Sequence, residues 1–489
     1  MRTRRVVSSA SRLVSALKLR SSFGYQPDQP IGGLGFISIV LATLPGAAIL
    51  GILLSVSMSV STATKRVRSG TPVLWLIAGF PIWWALGIGA LCWIGAALCM
   101  GFILLRRRSI TAPKGFGWWA AFLAWVVISA LAVLGPEHTV GVIWRLSLYL
   151  SVTIVFLYIY DQKESELSAE RVVGALTLLW VATVAGGWLG LALPGVSFGT
   201  PFEQFLGAGM ASNPFIRQLV HPQLSSVQVF LGYPVPRPQA PFPYANHWGS
   251  VLAVLTPVVI GYVSTPSGRR WMGPLTLIGL SAVVPLTFSL NRTAWASLAI
   301  GLFYGVCFVH PARRGKAIRN GLIAVAVITV GVIVSPLGGL LSDRAQTGHS
   351  NEGRANLYQQ SIQLAMESPF IGKGAPQNNI GHALAPKVGT QGHLWLVLVS
   401  QGFVGLILFL GWTIVLFRRS RLAVGTLQRW CHVPLVIFIL QLPFYDMLPF
   451  QLCIVFITSA LAMRSARDVL AAPMRTNSVD VLPSSTNVA

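Results

Sequence analysis

Apolar runs near or above twenty residues recur along this 489-residue chain, separated by short basic turns and by two long polar stretches. From Phe116 onward the runs fall at approximately 116–134, 141–160, 172–194, 245–262, 272–290, 293–309, 319–335, 393–416, 431–446 and 448–464. About 20 apolar residues in an α-helix cross the hydrocarbon core of a bilayer, so this spacing predicts an all-α, polytopic integral membrane protein. A membrane β-barrel would show short alternating segments instead, and the chain has none.

The amino-terminal pattern is less regular. Residues 32–59 fit one span, bent near Pro45-Gly46. Residues 71–104 are long for one helix and short for two, with Pro81 and Gly87-Ile88-Gly89 as breaks. About 12 spans is the working count and 13 the alternative. The expected organisation is a basic cytoplasmic or flexible segment over 1–30, one transmembrane domain over 31–465, and a disordered cytoplasmic tail over 466–489. Two large loops, 195–244 and 336–391, interrupt the domain.

Charge sets the sidedness. The 36 Lys and Arg against 13 Asp and Glu give a net +23, concentrated in turns such as Arg106-Arg107-Arg108, Arg313-Arg314 and Arg418-Arg419. In a soluble protein that excess would point to nucleic acid; in short turns between spans it marks the cytoplasmic side. Placing the basic connections 106–114, 263–271, 310–318 and 417–430 inside puts both large loops outside. The five cysteines lie in or beside apolar runs without metal-ligand spacing, so neither a zinc site nor a disulfide framework is expected.

Polar groups that a bilayer edge tolerates only for a reason are the candidate chemistry. Arg292 sits at the outer mouth of the tight turn Ser289–Trp295, where a guanidinium can meet phosphate oxygens bidentately or simply snorkel. Arg145, near the outer end of its span, is expensive there unless paired or facing a wet cavity. In the second loop, Asn351 is placed to cap a helix carrying Arg354, Tyr358, Ile362 and Ala365 on one face and ending before Pro369. Arg344 precedes it as a weaker candidate for the same task. His393 opens the next span; a neutral imidazole can take a proton from a sugar hydroxyl, and His349 and His382 compete for that role. Asn246 and His247 stand where the first loop re-enters the membrane, placed for a glycan or headgroup, or for a helix cap and an interfacial contact. Tyr233 offers an aromatic platform or an interfacial anchor.

These pieces, in this order, resemble the O-antigen ligase and polymerase superfamily of bacterial membrane proteins over roughly residues 70–465. The resemblance rests on the outer Arg292 in Ser289–Trp295, Arg354 followed by Pro369-Phe370-Ile371-Gly372-Lys373-Gly374, His393, and Gly402-Phe403-Val404-Gly405-Leu406. The segment entering at Asn246 resembles a further family piece. Leu394 departs from the pattern, since many relatives carry a polar residue after the histidine.

The resemblance implies a GT-C-like fold at the outer face of the cytoplasmic membrane. It further implies a polyprenyl-diphosphate-linked glycan donor such as one on undecaprenyl diphosphate, a glycan or glycolipid acceptor, and surrounding membrane lipids. The reaction implied is an inverting glycosyl transfer without metal or cofactor, performed by a ligase or a polymerase. Under that reading Arg292 and Arg354 neutralise the departing diphosphate and His393 orients or deprotonates the acceptor. Arg145, Asn246, His247, Arg344 and Tyr358 are the substrate-binding candidates. The rival is a transporter or flippase of a lipid-linked glycan, which would show internal repeats and polar groups at midplane.

Overall fold

The computed structural model describes residues 70–107, 109–132, 136–211, 213–230, 233–316, 318–319, 349–378 and 387–471. The span expected at 32–59, nearly all of that at 319–335, and Arg344 and His382 lie outside the described residues.

The first described segment crosses the helical bundle twice. Helices α1 (Thr71–Ala78) and α2 (Phe80–Ala85) lead away from Gly70, which rests against Leu167; α3 (Cys92–Leu105) leads back. At the far turn Phe202 N donates to Leu86 O at 3.3 Å, and at the near end Arg107 pairs with Asp161 at 2.7 Å. Residues 71–104 therefore form two short passes rather than one long helix. Pro81 falls in the first turn of α2, where its missing N–H costs no helical bond.

Helices α4 (Gly117–Ala130), α5 (Pro136–Asp161) and α6 (Ala169–Ala192) follow, the last capped by Ser168 Oγ accepting from Arg171 N. The first polar stretch then proves structured. It holds α7 (Pro201–Ala211), α8 (Pro214–Val220) and an antiparallel hairpin of β1 (Ser225–Phe230) with β2 (Tyr233–Pro238). Pro234, Pro236 and Pro238 sit at alternate positions of β2, so Tyr233, Val235 and Arg237 supply the strand's N–H groups.

Beyond the hairpin, α9 (Ala245–Val263) crosses the bundle. The expected 272–290 span is divided into α10 (Met272–Ser281) and α11 (Val283–Phe288), because Pro285 cannot donate to the carbonyl of Ser281. A tight turn leads into α12 (Arg292–Val309). In the second stretch α13 (His349–Glu367) starts two residues before the expected Asn351 cap and ends ahead of Pro369, as expected. The molecule closes with α14 (His393–Ser420), α15 (Thr426–Trp430), α16 (Val433–Gln441) and α17 (Phe450–Ala471). The last helix runs past the hydropathy boundary at 465.

Among the described residues five helices are long and apolar enough to cross a membrane: Thr139–Asp161, Ala169–Ala192, Ala245–Val263, Arg292–Val309 and His393–Ser420. Cys92–Leu105, Gly117–Ala130 and Met272–Phe288 are apolar but shorter. The described chain is mostly helical, as a membrane protein of this composition requires, while the count of 12 or 13 is not reached by these helices.

Basic connections gather at one end of the bundle. There Arg107 meets Asp161, the fully buried Arg464 pairs with Glu164, and Ser267 N donates to Glu170 at 3.2 Å. At the opposite end α14 is interrupted. Gly402 has φ +66, and a Cβ there would stand 2.5 Å from Phe370 O and 2.6 Å from Pro369 O. The segment after α13 wraps this break, with Lys373 N and Gly374 N donating to Val399 O and Ser400 O, and Phe403 N donating to Pro369 O, all at 2.8 Å. Gly402 therefore divides the helix.

Candidate active site

The end opposite the basic connections carries a cleft of about 430 Å³. Its walls come from the β-hairpin (Gln228, Arg237), the start of α9 (Asn246), the turn before α12 (Leu290–Thr293), α13 (Arg354, Ala355, Tyr358) and the chain after α16 (Phe444, Tyr445). Among the described residues three arginines line it, and no Asp or Glu does. Helices α9 and α12 both direct their N-termini here, and the partial positive charge of a helix N-terminus adds to the same field. The ligand that suits such a cleft is an anion.

A strained turn presents Arg292. Leu290 has φ +55, the one non-glycine residue with positive φ among the described residues. Asn291 N donates to Ser289 Oγ at 3.2 Å, and the buried Asn291 amide donates to Ala245 O at 2.7 Å, which ties this turn to α9. Backbone held in this sparsely populated region is expected where surroundings over-determine it, often at a site. Arg354 and Tyr358 reach the cleft from the first half of α13, and farther along the same stripe, at spacings of three and four, Ser361 and Ala365 are buried, with Leu357 beside them. Ile362, expected on the face of Arg354, is exposed instead. Tyr358 stacks on Trp395 with centroids 4.7 Å apart, and its hydroxyl donates to Pro443 O at 3.3 Å.

His393 lies behind this wall. Its backbone N donates at 2.8 Å to the carbonyl of Tyr445, a cleft residue, while its side chain is 0% exposed and is no part of the lining. The ring is held from both sides, with Nδ1 3.2 Å from Asp446 Oδ1 and Nε2 3.2 Å from the Tyr149 hydroxyl. An ionised carboxylate only accepts, so Nδ1 carries the proton and Nε2 accepts from Tyr149. The Asp446 side chain is 38% exposed, which makes it the accessible member of this group. Gly392 allows the close approach: a Cβ there would stand 2.3 Å from Pro443 O.

Arg145 is partly buried on α5, with Nη1 3.5 Å from Gly141 O and both Asp446 and Tyr149 in electrostatic reach. It joins the histidine group rather than the cleft. His247 is buried between Tyr244 and Phe450, with centroids at 5.3 and 5.5 Å, and its Nδ1 has no hydrogen-bond partner among the described residues. Asn246 does not cap α9; its Oδ1 accepts from Arg237 Nη2 at 2.9 Å. Tyr233 is exposed at the start of β2 and lies off the cleft lining.

Three groups at the site were not singled out from the sequence. Arg237 stood in the proline-rich Val235-Pro236-Arg237-Pro238 as one more loop cation. Tyr149 carried no signal beyond lying one turn from Arg145. Asp446 did carry one: a lone acid at the junction of two apolar runs is costly and marks function.

Fold and site together define a helical protein of membrane type with an arginine-lined cleft beside a carboxylate–histidine pair. Residues 275–410 match the family described as O-antigen ligase, and this supports an O-antigen ligase-like family for the chain. The matched segment contains Arg292, Arg354 and His393; Arg237, Asn246 and Asp446 fall outside it. No curated protein matches the chain. The family points to a membrane glycan ligase- or polymerase-like, glycosyltransferase-like function, whose partners in general are a lipid-linked glycan and an acceptor.

Proposed function

We propose that this protein transfers or polymerises a glycan carried on a polyprenyl diphosphate, at the outer face of the bacterial cytoplasmic membrane. The observation that carries the reading is a cleft lined, among the described residues, by three arginines and no acid, with Tyr445 on its wall next to the Asp446 that pairs with His393. Arg292 and Arg354 hold the diphosphate and stabilise the charge that grows on it as it departs. The acceptor hydroxyl attacks the anomeric carbon from the face opposite the diphosphate. A new carbon–oxygen bond forms, the carbon–oxygen bond to phosphate breaks, and the configuration inverts. The hydroxyl proton enters the His393–Asp446 pair at Asp446, its accessible member, while the enclosed imidazole, donating from Nδ1, orients that carboxylate and shares the charge. A diphosphate leaves as a stabilised anion, so no general acid and no metal ion is assigned.

Tyr358 and Asn246 fit the donor's sugar or headgroup at the cleft wall. Arg145 and His247 act around Asp446, and Arg344 belongs to the stretch leading into α13. The outward orientation follows from the basic end of the bundle being cytoplasmic. The test is to size lipid-linked glycans extracted from cells lacking the protein. Accumulated single repeats mark a polymerase, accumulated full-length donors mark a ligase, and an unchanged lipid-linked pool overturns the reading.

A further inference from the structure

Arg237 holds a position that neither the second loop nor the matched segment supplies. From β2 its guanidinium reaches three separate parts of the cleft wall. Nε donates to Ser289 O at 2.8 Å, Nη1 to Gln228 Oε1 at 2.9 Å, and Nη2 to Asn246 Oδ1 at 2.9 Å and Asn291 Oδ1 at 3.2 Å. Every one of these acceptors is a neutral amide or carbonyl. Four of the five guanidinium N–H groups are thereby used, and no carboxylate bonds to this cation among the described residues. Burial lowers the Arg237 pKa; Tyr445 opposes this, and the like charge of Arg354 adds to it. A protein that keeps a half-buried guanidinium fixed and unneutralised beside two others is holding positive charge in place for a ligand.

We infer that Arg237 is the third anion-binding group of the cleft, and that it makes the site selective for a diphosphate over a monophosphate. This rests on the donor reading above and adds two roles to it. One is charge: the donor's diphosphate diester carries two negative charges and the departing diphosphate about three, so three guanidiniums match the charge that develops better than they match a monophosphate. The other is positioning: the bonds to Ser289 and Asn291 brace both ends of the strained Leu290 turn from which Arg292 projects. Lysine keeps the charge but lacks the planar fork that reaches four acceptors, so Arg237→Lys separates the two roles.

The test uses the full-length protein in nanodiscs, with farnesyl diphosphate and farnesyl monophosphate as probes and thermal unfolding as a folding readout. The wild-type protein is expected to bind the diphosphate about tenfold or more tightly than the monophosphate. In Arg237→Gln that preference should collapse through loss of diphosphate affinity, and Arg237→Lys should restore part of it. Should both variants keep the wild-type preference while melting earlier, Arg237 is a structural clamp and the inference fails with the donor reading intact. If wild-type protein binds neither probe, and Arg292→Gln and Arg354→Gln leave glycan transfer unchanged, the donor reading itself fails. If either variant is too unstable to purify, Gln228→Ala removes one brace of Arg237 without touching charge, and it should preserve the diphosphate preference. Loss of preference in Gln228→Ala would count against charge as its source.

Discussion

His393 Nδ1 stands 3.2 Å from Asp446 Oδ1, with the imidazole wholly enclosed and the carboxylate side chain 38% exposed. The two residues are 53 positions apart and meet because the chain after α16 folds back over the start of α14, where Leu394 N donates to Leu442 O at 3.1 Å. Asp446→Asn keeps the shape and removes the charge that fixes the tautomer. Transfer measured with purified donor and acceptor should fall by about 10²–10⁴ in kcat, with donor KM little changed. His393→Ala should fall at least as far. Wild-type turnover in either variant would remove that residue from the mechanism.

Arg292 and Arg354 are assigned to the donor, so their loss should appear first in donor affinity. Arg292→Gln and Arg354→Gln should each raise donor KM about tenfold or more, consistent with a charge-assisted hydrogen bond worth roughly 1.5–3 kcal/mol. Replacement by Lys should recover only part of this. The measurement is initial rate against donor concentration at saturating acceptor. A pure kcat effect in both would move these residues from binding to the chemical step.

Turnover should survive chelation. No metal ion is assigned to any step, so dialysis against EDTA should leave the rate within about twofold, while a metal-assisted transfer would lose several kcal/mol of transition-state stabilisation. A loss restored by one added divalent cation would require a metal site in the mechanism.

Gly402 gives a stability prediction independent of function. Alanine there would have to hold φ +66 and place its Cβ 2.5 Å from Phe370 O. Gly402→Ala should destabilise the protein by about 1–3 kcal/mol or more, seen as an earlier thermal transition in detergent. Gly95→Ala, with nothing near its Cβ, is the control and should melt as the wild type does.

Sidedness can be read with introduced cysteines in a background cleared of the native five. Phe205→Cys, on the highly exposed Phe205 of α7, should react in intact spheroplasts with a membrane-impermeant maleimide. Lys163→Cys, beside the Asp161 and Glu164 cluster, should react only after permeabilisation. The reverse pattern would turn the cleft toward the cytoplasm.

Local periodicity made part of this molecule legible in advance. Helix α13 was readable from its spacing and from Pro369, and the Arg292 turn from Asn291-Arg292 between two apolar runs. What local pattern could not supply were contacts made across long stretches of chain. Arg237 reaches Ser289 over 52 positions, and Tyr149 reaches His393 over 244. The hairpin was hidden for a different reason: alternate prolines read as loop, yet they fall on the positions of β2 that owe no N–H to the ladder. The early break at 86–91, by contrast, was legible: Gly87-Ile88-Gly89 marked it within 71–104, and Gly87 takes φ +83 there.

The interruption at Gly402 changes which parts of the protein travel together. Because the strap from Pro369 to Gly374 is stitched to the stub of α14 that begins at His393, and Arg354 lies on the helix feeding that strap, Arg354 and His393 belong to one hydrogen-bonded unit whose spacing the backbone sets.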